Sequence, residues 1–244
     1  MTVRRLSALF LLLAAAGPLR AQSVDEILAK HAKAVDPEGK VASIAGMKMT
    51  AVLEMPAMGM TLTMTGLQRR PNQSTMSITI PGMGEMRQGY DGTMAWSEDP
   101  MQGPRIVTGL EAAAAVDGAD FRAMIRPADL FTSSELAGEG EVDGQKCIKV
   151  KHTWKSARVT TDCYSTSTWL ILESTGKQSS PNGDVETVQR FSDFRAEGGI
   201  VMAHKAVNTM MNMQQIMTIT SIEFGEQPAA AFEPPPAVKA LKKP

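Results

Sequence analysis

Residues 60–65 read Met60-Thr61-Leu62-Thr63-Met64-Thr65, and Thr75-Met76-Ser77-Ile78-Thr79-Ile80 repeats the same alternation. Successive side chains of a β-strand point to opposite faces, so this spacing predicts strands with one soft apolar face and one hydroxyl-lined face. Working outward, period-two segments cover 46–55, 59–69, 73–81, 85–90 and 93–98. The turn signals between them are Pro56 to Gly59, Pro71-Asn72, Pro81-Gly82-Met83-Gly84 and Asp91-Gly92, which makes a meander of antiparallel hairpins. Further strands are predicted at 139–142, 145–154, 158–165, 168–175, 184–195, 200–208 and 213–224, with Asp143-Gly144 and Gly198-Gly199 as turns.

Helical signals flank and interrupt these strands. Ser23 with Glu26 forms a capping box, and Val24, Ile27, Leu28, His31 and Val35 follow at helical spacing, so 23–35 reads as an amphipathic helix ended by Asp36-Pro37. Residues 108–118, with four consecutive alanines, and 119–131, interrupted at Pro127, read as two short helices between the two strand groups. The expected fold is mainly β with an α lid: a strongly curved antiparallel sheet of about 10–11 strands, a half-open β-barrel, with the N-terminal helix and the helical insertion over its concave face.

Arg4 and Arg5 precede an apolar run from Leu6 to Ala16, and small residues lead to a cut after Ala21, so 1–21 reads as a secretory signal and the periplasm as the destination. The run is shorter than the roughly 20 residues that span a bilayer, and no later segment approaches that length. No cysteine follows it to take a lipid anchor, so release is expected. Residues 22–233 suit one domain, and 234–244, with Pro234-Pro235-Pro236 and Lys242-Lys243, read as a tail with little to bury. Beyond residue 21 there are 22 basic and 26 acidic residues, a net charge near −4 that disfavours nucleic acid or an acidic membrane as partner. Few aromatic residues and 17 methionines past Met1 point to an adaptable interior.

The candidate ligand-binding face comprises Met47, Met49, Leu53, Met60, Leu62, Met64, Met76, Ile78 and Ile80, with Trp96 at the cavity mouth. Each acyl methylene removed from water contributes about 0.8 kcal/mol, so ten contribute roughly 8 kcal/mol before the costs of binding. The competing reading is ordinary core closed by the helices. A third reading is copper(I) binding, because Met47-x-Met49, Met58-x-Met60 and Met211-x-Met213 supply thioethers, although leucine and isoleucine share the same alternation. No metal ligand set, cofactor or catalytic residue is assigned. His31 reads as a packing residue of its helix, and His152 and His204 as strand-surface residues, none in a zinc or nucleophile motif. Cys147 and Cys163 flank the turn Trp154 to Ala157, and a hairpin whose paired residue numbers sum to 310 sets them opposite each other as a possible disulfide. A slip of one residue puts them on opposite faces.

Several segments together resemble the LolA/LolB-like superfamily of bacterial outer-membrane lipoprotein-sorting proteins. They are Arg69-Arg70-Pro71-Asn72, Ile80-Pro81-Gly82-Met83-Gly84, the run Gly89 to Trp96, the run Glu141 to Val150, and Phe232-Glu233-Pro234. The resemblance spans about residues 23–240 and rests on strand and turn patterns, which specify fold better than activity. It implies a non-enzymatic, monomeric carrier whose concave face shelters acyl chains of lipoproteins, or another elongated apolar ligand, in the periplasm. It also implies a basic strand residue that holds the lid, for which Arg69 and Arg87 are the candidates by strand position. The same half-barrel shape serves envelope sensors, for which the partner is a protein and the insertion at 108–131 a docking surface.

Overall fold

The computed structural model describes residues 22–180 and 183–242; the stretch 1–21 read as a secretory signal lies outside them. Thirteen strands run as β1 Gly46–Met55, β2 Met60–Arg69, β3 Gln73–Ile80, β4 Gly84–Tyr90, β5 Ala95–Asp99, β6 Gly103–Ile106, β7 Phe131–Val142, β8 Gln145–Trp154, β9 Val159–Ser165, β10 Ile171–Ser180, β11 Gly183–Glu197, β12 Ile200–Met210 and β13 Met213–Phe224. All pair antiparallel in one sheet of order β6-β5-β4-β3-β2-β1-β13-β12-β11-β10-β9-β8-β7. The sheet does not close, and β6 and β7 are its edges. Helix α1 is Val24–Val35, α2 is Gly109–Ala119 and α3 is Pro236–Lys239.

The predicted curved sheet with a helical lid is the architecture found, with thirteen strands in place of ten or eleven. Each predicted segment corresponds to one strand, and β6, Gly103–Ile106, too short to show a period, is the addition; β7 begins at Phe131, well before the predicted start at 139, which lengthens a strand without adding one. The second predicted helix, 119–131, is replaced by two 3-10 turns, Phe121–Ile125 and Ala128–Leu130. Arg126 between them adopts a left-handed conformation (φ 49°, ψ 49°) and Pro127 follows, so an α-helix cannot continue.

Helix α1 starts as the capping box requires: Glu26 N–H donates to Ser23 Oγ and Ser23 N–H to Glu26 Oε2, both at 3.2 Å. Its buried stripe divides between two clusters. Ile27 and Leu28 pack with Phe131, Val150, Trp154, Tyr164 and Ile171, whereas Val35 packs with Met47, Phe121, Leu170 and Ile200.

Helix α2 touches β3, β4 and β5 on one side and β10 on the other, strands far apart in sheet order. The sheet therefore curls until its two arms face each other across this helix. The C-terminal end of α2 is tied to both arms. Gln68 of β2 donates to the Gly118 carbonyl, while Asp117 accepts from Arg158 Nε at 2.8 Å and from Ser156 Oγ at 2.9 Å.

Within the segment read as a tail, Val238 is fully buried and α3 lies against β5 and β6; just before it, Phe232 is fully buried in a turn against β3.

The Cys147–Cys163 disulfide is formed, with Cα atoms 5.4 Å apart. Its register differs from the predicted one. Lys155, Ser156 and Ala157 form a three-residue loop with Ala157 left-handed (φ 67°), and Trp154 N–H donates to the Arg158 carbonyl. Paired numbers then sum to 312, so Cys147 faces Ser165 and Cys163 faces Lys149. A slip of two residues keeps both sulfurs on one face, and they bridge diagonally.

Candidate functional site

Strand pairing sorts the methionine face into rows. Ile222, Met49, Gly66, Met76 and Gln88 form one row, and Ile219, Ala51, Met64, Ile78 and Met86 the next. Met217, Leu53 and Leu62 form a third, and Met55 faces Met60 in a fourth. Gly66 makes room for its neighbour: a Cβ there would lie 3.3 Å from the Met49 methyl. The structure thus brings Met49, Leu53, Met60, Leu62, Met64, Met76, Ile78 and Ile80 into one cluster with Met55, Met86 and Met217. Met47 belongs to the cluster under α1 instead.

Every member of this methionine cluster comes from a strand. Leu62, Met64 and Ile78 are buried by their neighbours, while Met49, Leu53, Met60, Met76 and Ile80 remain partly exposed. Helix α1 packs over Met47 and Ile200 and towards β7 to β9, and α2 lies between the arms, so neither helix contributes a residue to the methionine cluster.

Trp96 is placed differently. It borders the cavity described next, but its ring shares a side-chain face with Thr75: a Cβ built on Gly89 would meet both Trp96 Cζ2 and Thr75 Cγ2 within 3 Å. That is the face opposite Met76. The indole is 1% exposed, with the Arg87 guanidinium 5.9 Å from its centroid, and its Nε1 lacks a hydrogen-bond partner.

Beneath α2 lies a cavity of about 430 Å³ between the two arms. Ser74, Met76, Gln88 and Ala95 line one wall, Leu110 and Ala114 the roof, and Ser174, Thr187, Gln189 and Asn208 the other wall. The alanines of α2 leave this space open because they project only a methyl group. Register aligns the far wall: Gln215, Asn208, Gln189, Ser174 and Asp162 stand opposite one another across five strands. At the level of this row the concave surface is polar along β9 to β12, whereas under α1 the same strands present Tyr164, Ile171, Phe191 and Ile200.

The polar row ends in a buried charge network. Asp162, fully buried, accepts from Arg126 Nε at 2.8 Å and from Ser174 Oγ at 2.6 Å, and Arg126 also donates to the Ala123 carbonyl. Burial pushes the Asp162 carboxyl up, but Arg126, His152 and the two hydrogen bonds outweigh it and hold the group below the ordinary carboxylate value. Arg126 thus links the lid segment to the sheet wall, the role expected of a basic strand residue but with the polarity reversed. Arg69 bonds Gln73 at 3.3 Å and Arg87 lies 3.9 Å from Glu85, so neither strand candidate holds the lid.

His152 and His204 are buried rather than on the strand surface. His152 Nδ1 lies 2.7 Å from Ser134 Oγ, its Nε2 lies 2.9 Å from Tyr164 Oη, and its ring stacks on Phe131 at 4.2 Å. His31, also buried, sets Nδ1 2.9 Å from the Trp169 carbonyl and Nε2 3.1 Å from the Met124 carbonyl. Desolvation lowers both imidazoles from 6.5 to about 4, at His31 against the pull of its two carbonyls, so both are neutral near pH 7 and His31 donates to one of those carbonyls. Ser134, His152 and Asp162 do not make a nucleophile triad. Asp162 stands 3.9 Å from His152 and is engaged by Arg126, while the Tyr164 hydroxyl occupies the nitrogen an orienting carboxylate would bond.

Of the three methionine pairs, Met58-x-Met60 and Met211-x-Met213 sit at adjoining hairpin ends, where Met55, Met58, Met210 and Met213 line a hollow of about 60 Å³. Met47-x-Met49 lies at the far end of β1. Among the described residues, no group of three or more His, Cys, Asp and Glu side chains is disposed to hold a metal, and no helix is long and apolar enough to cross a membrane.

No family model and no curated protein matches the sequence. Solved structures do match in shape. A DUF1329 family protein from Desulfovibrio piger aligns over 91% of this chain and 100% of its own, with a TM-score of 0.61 at 13% identity. A LolA superfamily protein from Nitrosomonas europaea covers 88% and 99%, with 0.59 at 14%. A domain from Vibrio parahaemolyticus described as outer-membrane lipoprotein-sorting covers 81% and 90%, with 0.54 at 10%. These identities speak to the fold alone, and the fold is the one that these LolA-like structures share.

Proposed function

We propose that this protein is a periplasmic carrier, exported by its N-terminal signal, that shelters the acyl chain of a lipoprotein or another elongated apolar ligand on the methionine rows. The observation that carries this reading is the strand-only methionine cluster, left partly open between α1 and α2 and continuous through Met76 with the cavity under α2. Methionine suits the task because its unbranched thioether repacks around chains of different shape. The likeness to a lipoprotein-sorting domain supports the same reading.

Uptake of a fluorescent fatty acid tests it. Met76→Asp places a carboxylate in the partly open lining and should weaken uptake by about tenfold or more, whereas Thr63→Asp on the exposed opposite face should leave it unchanged. Equal loss in both variants, or no uptake by the native chain, removes the proposal. A stable protein complex recovered from the native envelope without co-purifying lipid supports the sensor reading in its place.

A further inference from the structure

The cavity under α2 is built for something other than hydrocarbon. We propose that it receives the uncharged, hydroxyl-bearing head of an amphiphile, a glycosyl or polyol group, while the hydrocarbon of the same molecule lies along the methionine rows; this rests on the carrier reading and names its ligand class.

Three observations carry it. First, the facing walls present Ser74 and Gln88 from one arm and Gln189 and Asn208 from the other. These four side chains are half-buried and make no hydrogen bond to the protein among the described residues. A carboxamide offers both donors and an acceptor without charge, which is the complement of vicinal hydroxyls that each donate and accept. Second, the charges around the cavity are already matched. Arg105 holds Glu111 through two bonds of 2.8 and 2.6 Å, Arg158 is bound to Asp117, and Lys177 at the border is solvent-exposed. An ionic head drawn into this space would lose its hydration and find the enclosed charges already paired, with Lys177 left at the solvent-exposed border, so charge is selected against inside the cavity. Third, the two chemistries are joined. Met76 stands opposite Gln88 and next but one to Ser74 on its own strand, so a single molecule spans both regions. A volume of about 430 Å³ lies within the roughly 300–1,000 Å³ range of small-molecule sites.

The test is calorimetry with three ten-carbon amphiphiles, each kept monomeric: decyl maltoside, decanoate and decyltrimethylammonium. The native chain should bind the maltoside about tenfold more tightly than either ion. Gln189→Leu with Asn208→Leu should remove that advantage and leave decanoate binding unchanged, which also reports that the variant is folded. Gln189→Glu should turn the preference toward decyltrimethylammonium. Equal affinity for all three in the native chain, or a maltoside preference that survives the leucine pair, overturns the head-group assignment and leaves the carrier reading standing. Failure to bind any of the three overturns both.

Discussion

Arg126 crosses from the lid to the wall of the sheet to neutralise Asp162, whose side chain is wholly buried while that of the arginine is 16% exposed. Around this pair, His31 and His152 are kept neutral because burial removes the water an imidazolium needs. Their folded values, about 4, lie below the ordinary 6.5, so between those limits the unfolded chain binds more protons than the folded one. Stability is therefore full above about pH 6.5 and falls as the pH drops towards 4, by on the order of 3 kcal/mol for each imidazole. Asp162, held low, acts in the same sense at lower pH: its contribution is present above the unfolded carboxylate value and is lost as the pH falls through its own depressed one. Urea denaturation midpoints should decline steadily from pH 7 to 4.5, and a flat profile over that interval would contradict the neutral, buried imidazoles.

At the scale of elements, the hairpin of β8 and β9 shows what local sequence determines and what it leaves open. The strands and the shared face of the two cysteines follow from alternation, but the register depends on Ala157 adopting a left-handed conformation, which its residue type does not announce. Reduction of Cys147–Cys163 frees a loop with a sequence separation of 16, so it should lower stability by about 3 kcal/mol and shift the thermal midpoint down. An unchanged midpoint would show that the hairpin holds without the bridge.

The same division applies to the candidate site. The methionine rows are legible because each strand states its own period. Arg126 and Asp162 are 36 residues apart and meet only when the sheet curls, and Arg126 lay within a stretch that favours helix. The polar row of Asn208, Gln189 and Ser174 is likewise silent in sequence, because each comes from a different strand and only the pairing lines them up. Trp96 borders the cavity under α2 but shares its side-chain face with Thr75, a placement that a strand of five residues is too short to show in sequence.

For the molecule as a whole, α2 determines the working shape. Gln68 from one arm and Arg158 and Ser156 from the other hold its C-terminal end, so it spans the opening while α1 packs against β7 to β9 at one end and on Met47 and Ile200 at the other. That division leaves the methionine rows without a helix residue among them. The buried Phe232 and Val238 extend the core onto the β3, β5 and β6 side, so the last residues of the chain contribute packing that their proline-rich composition conceals.

An unclosed sheet must also prevent other chains from joining it, and its two borders do so by different means. On one side β6 is four residues long, carries Pro104 and has α3 against it. On the other, twelve-residue β7 is long enough to recruit a strand, yet its pairing shifts twice and Glu135, Glu139 and Glu141 project into solvent. Replacing those three glutamates with threonine should favour pairs joined through β7, visible as a doubling of mass by light scattering. Acidity along a single border would then be what keeps two arches from fusing edge to edge.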